Sequence, residues 1–246
     1  MKKYLFVFLL FLIRMSDGFG QTAIQSQQTV QNDFQNYSRT EGARNYTGSY
    51  LSVFTNKEST VGNRYLFDKW VKGSVVNLQD IIISNDDFLF NYDKMGKTLL
   101  ATQDKQKIIE IDPDAIKSFT LTDSTEVIVF EKVPVISDRD FFIALVKSEN
   151  RYSLYKSVKT KFEKANFSTN GIFESGKKYD EFIDEPEYYI VLPGQKESRK
   201  IGLKRKSIKA ALGNEEKKVK EYFSNMSEAG TLDESVLIGL ITFLNL

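Results

Sequence analysis

Short segments rich in aromatic and β-branched residues follow one another between residues 70 and 158, and clusters of Asp, Asn, Ser and Gly separate them. This pattern is typical of a meandering β-sheet or an open barrel. In Phe88–Tyr92, for example, strand alternation assigns residues 88, 90 and 92 to one side and residues 89 and 91 to the other. The strands predicted here are 88–92, 97–102, 107–111, 116–121, 126–132, 141–147 and 152–158.

Two of these segments carry additional information. Phe141–Val146 is apolar at every position, so we expect both faces of that strand to be covered. Asp93–Gly96 has the composition of a hairpin turn that joins the strands on either side of it.

The chain becomes more polar after residue 158. Ser168–Glu185 contains few large apolar residues and is predicted to be a long loop. A last pair of strands is predicted at 188–192 and 200–204, joined through Pro193-Gly194.

Helical periodicity begins near residue 205. Ser207 is predicted to cap a short helix that ends at Leu212, and Asn214 to cap a second helix. Thr231–Glu234 has the sequence of a capping box and opens a third helix. The apolar residues of the third helix form one stripe that must be buried: Val236, Leu237, Leu240, Ile241 and Leu244.

Together these elements predict an α+β protein, built mainly from an antiparallel β-sheet or open barrel with a small C-terminal helical subdomain. The β-rich domain is expected at residues 49–204 and the helical cap at residues 205–246. Residues 21–48 are polar and bury too little apolar surface to offset the entropy of ordering, so a flexible leader is expected there.

Residues 1–20 have the pattern of a secretory signal peptide. Lys2 and Lys3 precede the apolar run Tyr4–Ile13, and Gly18–Gly20 offers small residues at the positions that a signal peptidase reads. A membrane anchor is the alternative, but a helix over the apolar run spans only ~15 Å, half of a ~30 Å hydrocarbon core. We therefore expect an exported protein, periplasmic, associated with the outer membrane or secreted, with no transmembrane helix in its mature chain.

The composition removes whole classes of chemistry. The chain contains neither Cys nor His, which excludes disulfides, thiol nucleophiles, and Ser-His-Asp or Cys-His catalysis within it. Carboxylate chemistry, a Ser-Lys pair and a hard-cation site of oxygen ligands remain. The net charge of +1 argues against nucleic acid as a partner. No cofactor is predicted.

Three short matches to catalytic motifs have structural explanations. Met95–Thr98 ends like a phosphate-binding loop, but Asn91 stands where that loop needs its first glycine. Ser153 and Lys156 match Ser-x-x-Lys, yet they are three residues apart in a predicted strand, so their side chains point to opposite faces. The second match, Ser175–Lys178, lies in a predicted loop.

Acidic residues cluster in several predicted turns. The clusters are Asp86-Asp87, Asp112 with Asp114, Asp138 with Asp140, and Asp180-Glu181 with Asp184-Glu185. A glycosidase needs two carboxyl groups ~5–9.5 Å apart, and Ca²⁺ needs about six to eight oxygen ligands. Spacing establishes neither arrangement, so we interpret the clusters as turn formers and leave a cation site and hydrolysis as alternatives.

Two features point to a binding surface. Residues 196–220 carry ten Lys or Arg against three Glu, a net charge of +7, which suits either an anionic partner such as lipid headgroups or a solvated helix face. Aromatic side chains that stack on sugars are the second feature, with candidates Trp70, Tyr92, Tyr152, Tyr155, Tyr188 and Tyr189. From both features we select as candidate surface-binding residues Trp70, Tyr188, Tyr189, Lys204, Arg205 and Lys206.

Several short sequences recur in the same order in a known group of proteins. They are Lys69–Val75, Asn91-Tyr92-Asp93, Phe141-Phe142, Leu154-Tyr155-Lys156, Tyr188-Tyr189 and the Lys/Glu-rich helix with the acidic-capped helix after it. In these features the chain resembles a set of secreted, β-rich proteins of the Bacteroidota without an assigned function. The resemblance extends from about Trp70 to the C-terminus. It implies a cell-envelope or secreted location and carries over no catalytic residues.

These observations lead to two expectations for function. The first is an exported, non-enzymatic envelope protein with a binding or structural role, whose partner is an envelope protein or a polysaccharide. The alternative is a carboxylate-dependent hydrolase that acts on an extracellular glycan. Two close, buried carboxylates in a deep cleft would favour the hydrolase, and a shallow surface with scattered acids would favour the binding protein.

Overall fold

Antiparallel strands dominate a computed structural model of the chain, which describes residues 60–194, 196–225 and 232–246. All of these residues belong to one unit of the chain. The expected signal peptide (residues 1–20) and polar leader (residues 21–48) lie outside the described residues.

Each predicted strand overlaps an observed one, and further strands lie before and between them. The strands are β1 (Thr60–Val61), β2 (Lys72–Asn77), β3 (Ile82–Ile83), β4 (Leu89–Asp93), β5 (Thr98–Thr102), β6 (Ile108–Glu110), β7 (Ile116–Thr122), β8 (Val127–Val133), β9 (Ser137–Val146), β10 (Ser153–Ser157), β11 (Thr160–Glu163), β12 (Ser168–Thr169), β13 (Glu174–Ser175), β14 (Asp180–Asp184), β15 (Glu187–Val191) and β16 (Ser198–Ile201). The helices are α1 (Arg205–Ala211), α2 (Glu216–Ser224) and α3 (Glu234–Leu244), and short 3-10 turns lie at Pro113–Ala115 and Gly213–Glu215.

Eight strands form the main sheet, in the order β16-β15-β10-β9-β8-β7-β2-β3. Every neighbouring pair in it is antiparallel. The sheet does not close into a barrel, and a small helical part follows it. The predicted fold class, mainly antiparallel sheet with a C-terminal helical part, is therefore confirmed.

One side of the main sheet is covered along its length, and we call it the covered face. The register places Val75 opposite Phe119, Phe119 opposite Phe130, and Phe130 opposite Ile143, so these side chains share one face. The three-stranded sheet β4-β5-β6 contributes Tyr92, whose ring centroid lies 4.6 Å from that of Phe130. Burial of these aromatic rings provides the core of this half of the protein.

The helices cover the other end of the same face. Leu237, Leu240, Ile241 and Leu244 of α3 are buried and form one cluster with Leu154, Ile190 and Ile201 of the sheet. The predicted apolar stripe of the last helix is therefore confirmed at these four positions. Val236 is only half-buried and packs at the edge of the cluster.

The helix starts differ from those predicted. Ser207 lies inside α1, and its hydroxyl accepts a hydrogen bond from the Gly202 N–H (2.7 Å), so it stabilises the preceding turn instead of capping the helix. Asn214 lies in a 3-10 turn, and α2 begins after Glu215 without a side-chain cap. Asp233 caps α3 by accepting from the Val236 N–H. The other end of the predicted capping box, residue 231, lies outside the described residues.

The prediction of a long loop at Ser168–Glu185 is wrong. The segment contains β12, β13 and β14, and β14 pairs with β11 in an antiparallel register and with β1 in a parallel one. The polar sequence does not reveal these strands, because they are stabilised by pairs of side chains on neighbouring strands. The Phe162 and Phe182 ring centroids lie 4.8 Å apart, and Lys161 forms an ion pair with Glu185.

The prediction that both faces of the Phe141–Val146 strand are covered holds at its first three residues. Phe141, Phe142 and Ile143 are all buried. Phe141 packs on the covered face, where its ring is edge-on to Phe119 with centroids 5.1 Å apart.

Candidate functional site

The side of the main sheet opposite the covered face is open to solvent over β8, β7, β2 and β3, and we call it the open face. Its most exposed apolar side chains are Ile82 (70% exposed), Val127 (64%) and Val129 (38%). These three side chains are far more exposed than the apolar residues of the covered face, such as Val75 and Phe119. This surface is therefore the first candidate for binding.

Short polar side chains fill the rest of this part of the open face. Register places Val129 opposite Thr120 and Thr120 opposite Ser74, and it places Val127 opposite Thr122. Thr122 is exposed, and Thr120 and Ser74 are half-buried. The result is a shallow surface of methyl and hydroxyl groups, without a pair of facing acids among these residues.

The other end of the open face is partly covered by the turn between β8 and β9. Val133, the last residue of β8, is buried with Phe142, Tyr155 and Val191, and the turn residues Val135 and Ile136 pack against this cluster. The Ser198 hydroxyl donates to the Val135 carbonyl (2.7 Å) and holds the turn down. Phe142 and Tyr155 are consequently buried although they point away from the helices.

A tyrosine, a glutamate and a lysine form a connected set at the margin of this cluster. The Tyr155 hydroxyl donates to Glu131 Oε1 (2.7 Å), and Lys147 Nζ donates to Glu131 Oε2 (2.5 Å). Burial and the hydrogen bond to Glu131 raise the pKa of the Tyr155 phenol.

A second set of the same kind lies on the neighbouring strand. Tyr189 is directly opposite Tyr155, and its hydroxyl donates to Glu187 Oε2 (2.8 Å). Lys200 Nζ donates to Glu187 Oε1 (2.7 Å). Burial and then the bond to Glu187 raise the pKa of Tyr189 to about 12, while the bonds from Lys200 and Tyr189 lower the pKa of Glu187.

These two sets can hold a polar ligand by hydrogen bonding but are poorly suited to proton transfer. A general acid or base needs a pKa near the working pH, and the shifts at Tyr155, Tyr189 and Glu187 all move away from neutrality. Sequence reasoning missed Glu131, Glu187, Lys147 and Lys200. Only Glu187 carried a signal, since it lies two residues before Tyr189 in a strand and so on the same face.

Tyr188, a predicted surface residue, points to the covered face. It is 5% exposed, and its hydroxyl donates to Glu234 Oε2 (2.8 Å), which also forms an ion pair with Lys156 (2.7 Å). The expectation that the Tyr188 ring lies at the surface is therefore wrong. Adjacent residues of a strand point to opposite sides, so only one member of the Tyr188-Tyr189 pair reaches the open face.

Trp70, the second predicted aromatic, is half-buried at the start of β2. The segment before it is fixed by Asn91, which is fully buried: its side chain accepts from the Phe67 N–H (3.2 Å) and donates to the carbonyls of Phe67 (2.8 Å) and Lys69 (3.1 Å). Strand alternation predicts that Trp70 and Lys72 share a side, which is the open face.

The three predicted basic residues begin α1. Lys204, Arg205 and Lys206 are exposed, and the Arg205 guanidinium lies 5.0 Å above the centre of the Phe223 ring. Other cations of the basic segment are ion-paired, for example Lys220 with Glu216. Arg205 therefore packs on α2, whereas the Tyr189 hydroxyl binds Glu187 within the sheet.

The acidic clusters are largely explained by turns and ion pairs. Asp112 accepts from the Asp114 N–H (2.9 Å), and Asp140 pairs with Lys97 (3.1 Å). Asp184 accepts from buried Lys94 (2.7 and 2.9 Å) and from the Thr160 hydroxyl. Within the described residues, no group of three acidic side chains is placed to hold a metal ion.

The apparent catalytic motifs also have structural roles. Asp93 Oδ1 accepts from the Met95 and Gly96 N–H groups, so the sequence like a phosphate-binding loop is a hairpin turn, as predicted. Ser153 and Lys156 lie in β10, where the Ser153 hydroxyl donates to the Ser148 carbonyl (2.8 Å).

Comparison with known proteins adds no relative. No family model, curated protein or solved structure matches the chain. In the parts of the chain that are described, no helix combines the length and apolarity needed to cross a bilayer.

Proposed function

We propose that the chain is an exported, non-enzymatic protein of the cell envelope that binds another envelope protein through its open face. The observation that carries this proposal is the asymmetry of the main sheet: one side is covered, whereas the other exposes Ile82, Val127 and Val129 among short hydroxyl side chains. Flat surfaces of this composition suit protein contact better than sugar stacking, because the aromatic rings of Tyr155 and Phe142 are buried.

Export is part of the same proposal. Its support is the signal-like sequence of residues 1–20 and the resemblance to secreted proteins of the Bacteroidota.

Several observations support a non-enzymatic role. The chain has no imidazole or thiol. Asp93 is the buried carboxylate of the described residues, and it forms an ion pair with Arg64, whose Nη2 lies 2.6 Å from Oδ2. The environment raises the pKa of Tyr92, Tyr155, Tyr189 and Lys177 and lowers the pKa of Glu187. Each of these groups therefore keeps its ordinary charge state at neutral pH.

Hydrolysis of an extracellular glycan by carboxylates is the alternative, with a polysaccharide as the ligand. It would need a carboxylic acid that stays protonated near neutral pH. Glu187 is the carboxylate beside Tyr189 on the open face, and its pKa is lowered. That direction favours the binding protein.

Site-specific crosslinking in the native host tests the proposal. A photocrosslinking residue replaces Val129 on the open face or, as the matched control, Lys220 on the exposed side of α2. We expect an envelope protein to be captured at position 129 and not at 220, and capture to be lost when Val127→Lys is added. Equal capture at both positions, or turnover of a glycan by the purified chain that depends on Glu131 or Glu187, would overturn it.

A further inference from the structure

A hairpin that projects from the small β11-β14 sheet carries the most exposed apolar pair of the described residues outside the C-terminal Leu246. This tip hairpin comprises residues 166–177, with β12 and β13 as its arms. Ile172 is 83% exposed and Phe173 is 74% exposed at its end. Two adjacent apolar side chains in water carry an unfavourable hydration free energy that burial would recover.

The backbone of the tip is already hydrogen-bonded to the hairpin itself. The side chain of Asn170 accepts from the N–H groups of Ile172 (3.1 Å) and Phe173 (2.8 Å). The Thr169 hydroxyl oxygen accepts from the Gly171 N–H (3.1 Å), and the Asn170 N–H donates to the Phe173 carbonyl (3.3 Å). These four donors therefore stay hydrogen-bonded when the tip leaves water. Unsatisfied backbone donors are the main cost of moving a segment into an apolar medium.

Glycine is required for this turn. Gly171 has φ +84°, a left-handed conformation that a side chain would strain. The turn is thus built to present Ile172 and Phe173 in one fixed geometry.

Two aromatic rings and an ion pair lie between the tip of the hairpin and its base. Phe167 and Tyr179 are partly exposed (37% and 38%), and Phe167 lies about 13 Å behind the tip, given four residues at ~3.3 Å each. Lys178 Nζ lies 4.3 Å from the centre of the Phe167 ring and pairs with Glu174 (3.0 Å). Glu174, next to Phe173, is thus neutralised by Lys178, and the aromatic rings of Phe167 and Tyr179 lie toward the base, where aromatic side chains meet the headgroups of a bilayer.

The base of the hairpin is charged and largely paired. Lys177 forms ion pairs with Glu181 and Glu163, and Lys161 pairs with Glu163 and Glu185. Such a band remains in water and limits how far the hairpin can enter. Because its three glutamates outnumber its two lysines, this band does not attract anionic lipid, and the attraction must come from the apolar tip.

From these observations we infer that the tip hairpin inserts Ile172 and Phe173 into the surface of a lipid bilayer, to the depth of the headgroup and upper acyl region. The depth of such interfacial contacts is ~5–10 Å, which places Phe167, Tyr179 and Lys178 at the headgroups. This inference uses other residues than the open face, so either proposal can fail without the other.

Unique labelling tests it, since the chain has no cysteine of its own. The full chain carrying Ile172→Cys is labelled with a polarity-sensitive fluorophore and mixed with phosphatidylcholine vesicles, with and without phosphatidylglycerol. We expect the emission to shift to shorter wavelength on both vesicle types and to be quenched by a quencher attached to the lipid acyl chains. The readout is local, so membrane binding by residues 1–20 does not mimic it.

The matched control is Ile82→Cys on the open face, a position of similar exposure, which should show no shift. Ile172→Ser with Phe173→Ser should leave the circular dichroism spectrum unchanged and, in chains labelled at the exposed position Ser168→Cys, reduce partitioning of the tip by about tenfold or more. An unshifted label at 172, or equal shifts at 172 and 82, would overturn the inference. A shift that appears without vesicles and grows with protein concentration would overturn it in favour of self-association.

Discussion

Tyr188 and Tyr189 are adjacent and have the same kinds of partners, yet they serve different regions. The hydroxyl of Tyr188 donates to Glu234 of α3, 46 residues away, on the covered face. The hydroxyl of Tyr189 donates to Glu187, two residues away, on the open face. Each carboxylate also binds a lysine from the sheet, Lys156 or Lys200.

The difference shows that the role of a tyrosine, glutamate and lysine bound to one another depends on where they lie in the fold and not on their chemistry. On the covered face the set fastens a helix to the sheet, so breaking it loosens a long-range contact. On the open face it orders two neighbouring strands at the surface, where water replaces what is lost. The covered face therefore specifies the fold, and the open face is free to serve binding.

The largest expected effect contrasts two adjacent residues of β8. Phe130→Ala removes a fully buried ring that stacks on Phe119 with centroids 4.5 Å apart. It should lower the free energy of unfolding by about 3–5 kcal/mol, through lost burial and a cavity. Val129→Ala on the open face should cost no more than about 1 kcal/mol. Urea denaturation of both variants measures the two changes in the free energy of unfolding. Equal changes would show that the open face is as buried as the covered face.

The two tyrosines give the next effect. Tyr188→Phe should lower the free energy of unfolding by about 1–2 kcal/mol, because a hydrogen bond to a charged carboxylate is lost in a buried setting. Tyr189→Phe should cost about 0.5 kcal/mol or less, because water reaches its carboxylate. Urea denaturation compares them, with the double variant as a test of additivity. A larger cost for Tyr189→Phe would reverse the assignment of roles.

High pH should weaken the fold through the same groups. Burial and the bond to Glu234 raise the pKa of Tyr188, and Tyr189 is raised to about 12, from an ordinary value of 10.0. Because the unfolded chain ionises first, the stabilisation is complete below pH 10 and is lost as the pH rises through the folded-state values. Phenolate absorbance followed with circular dichroism should show unfolding accompanying ionisation, and Tyr188→Phe should move the transition to higher pH. An unchanged transition would contradict this.

The smallest effect concerns the lysines. Lys200→Gln, at an exposed ion pair, should change the free energy of unfolding by about 0.5 kcal/mol or less. Lys156→Gln should cost more, since the Lys156 side chain is 25% exposed against 60% for Lys200. Denaturation at low and high salt should show that the Lys200 contribution disappears in salt. Equal, salt-independent costs would contradict the contrast between the faces.

Sequence patterns predicted the elements that carry strong hydrophobic periodicity. Strands β7–β10 and β15 of the main sheet and the buried stripe of α3 follow from alternation and helical spacing, because their apolar residues meet a core. β14 was missed, since its sequence Asp180–Asp184 is polar and its stability comes from partners on β11 and β1. The structural role of buried Asn91 was also missed, because no neighbouring residue in the sequence indicates that its amide binds a distant backbone segment.

The candidate site was harder to predict than the fold. Alternation separates Tyr188 from Tyr189 but does not say which one faces solvent, since that depends on α3, whose first residue is 46 positions away. Tyr189 lies on the open face opposite Tyr155, but Lys200, on the neighbouring strand β16, comes close to it only through strand pairing. Whether Trp70, Tyr189 and Lys204–Lys206 bind a partner stays a prediction.

The strand Tyr188-Tyr189-Ile190-Val191 offers almost the same side chains to both of its sides. A slip of one residue would exchange a tyrosine for a tyrosine and an isoleucine for a valine, so hydrophobicity hardly distinguishes the two alignments. In the observed alignment the hydroxyl of Tyr188 meets Glu234, and Glu187 lies with Tyr189 on the open face beside Lys200. A slip would turn Glu187 to the covered face, away from Lys200, so this charged residue distinguishes the two alignments where the tyrosines and their apolar neighbours do not.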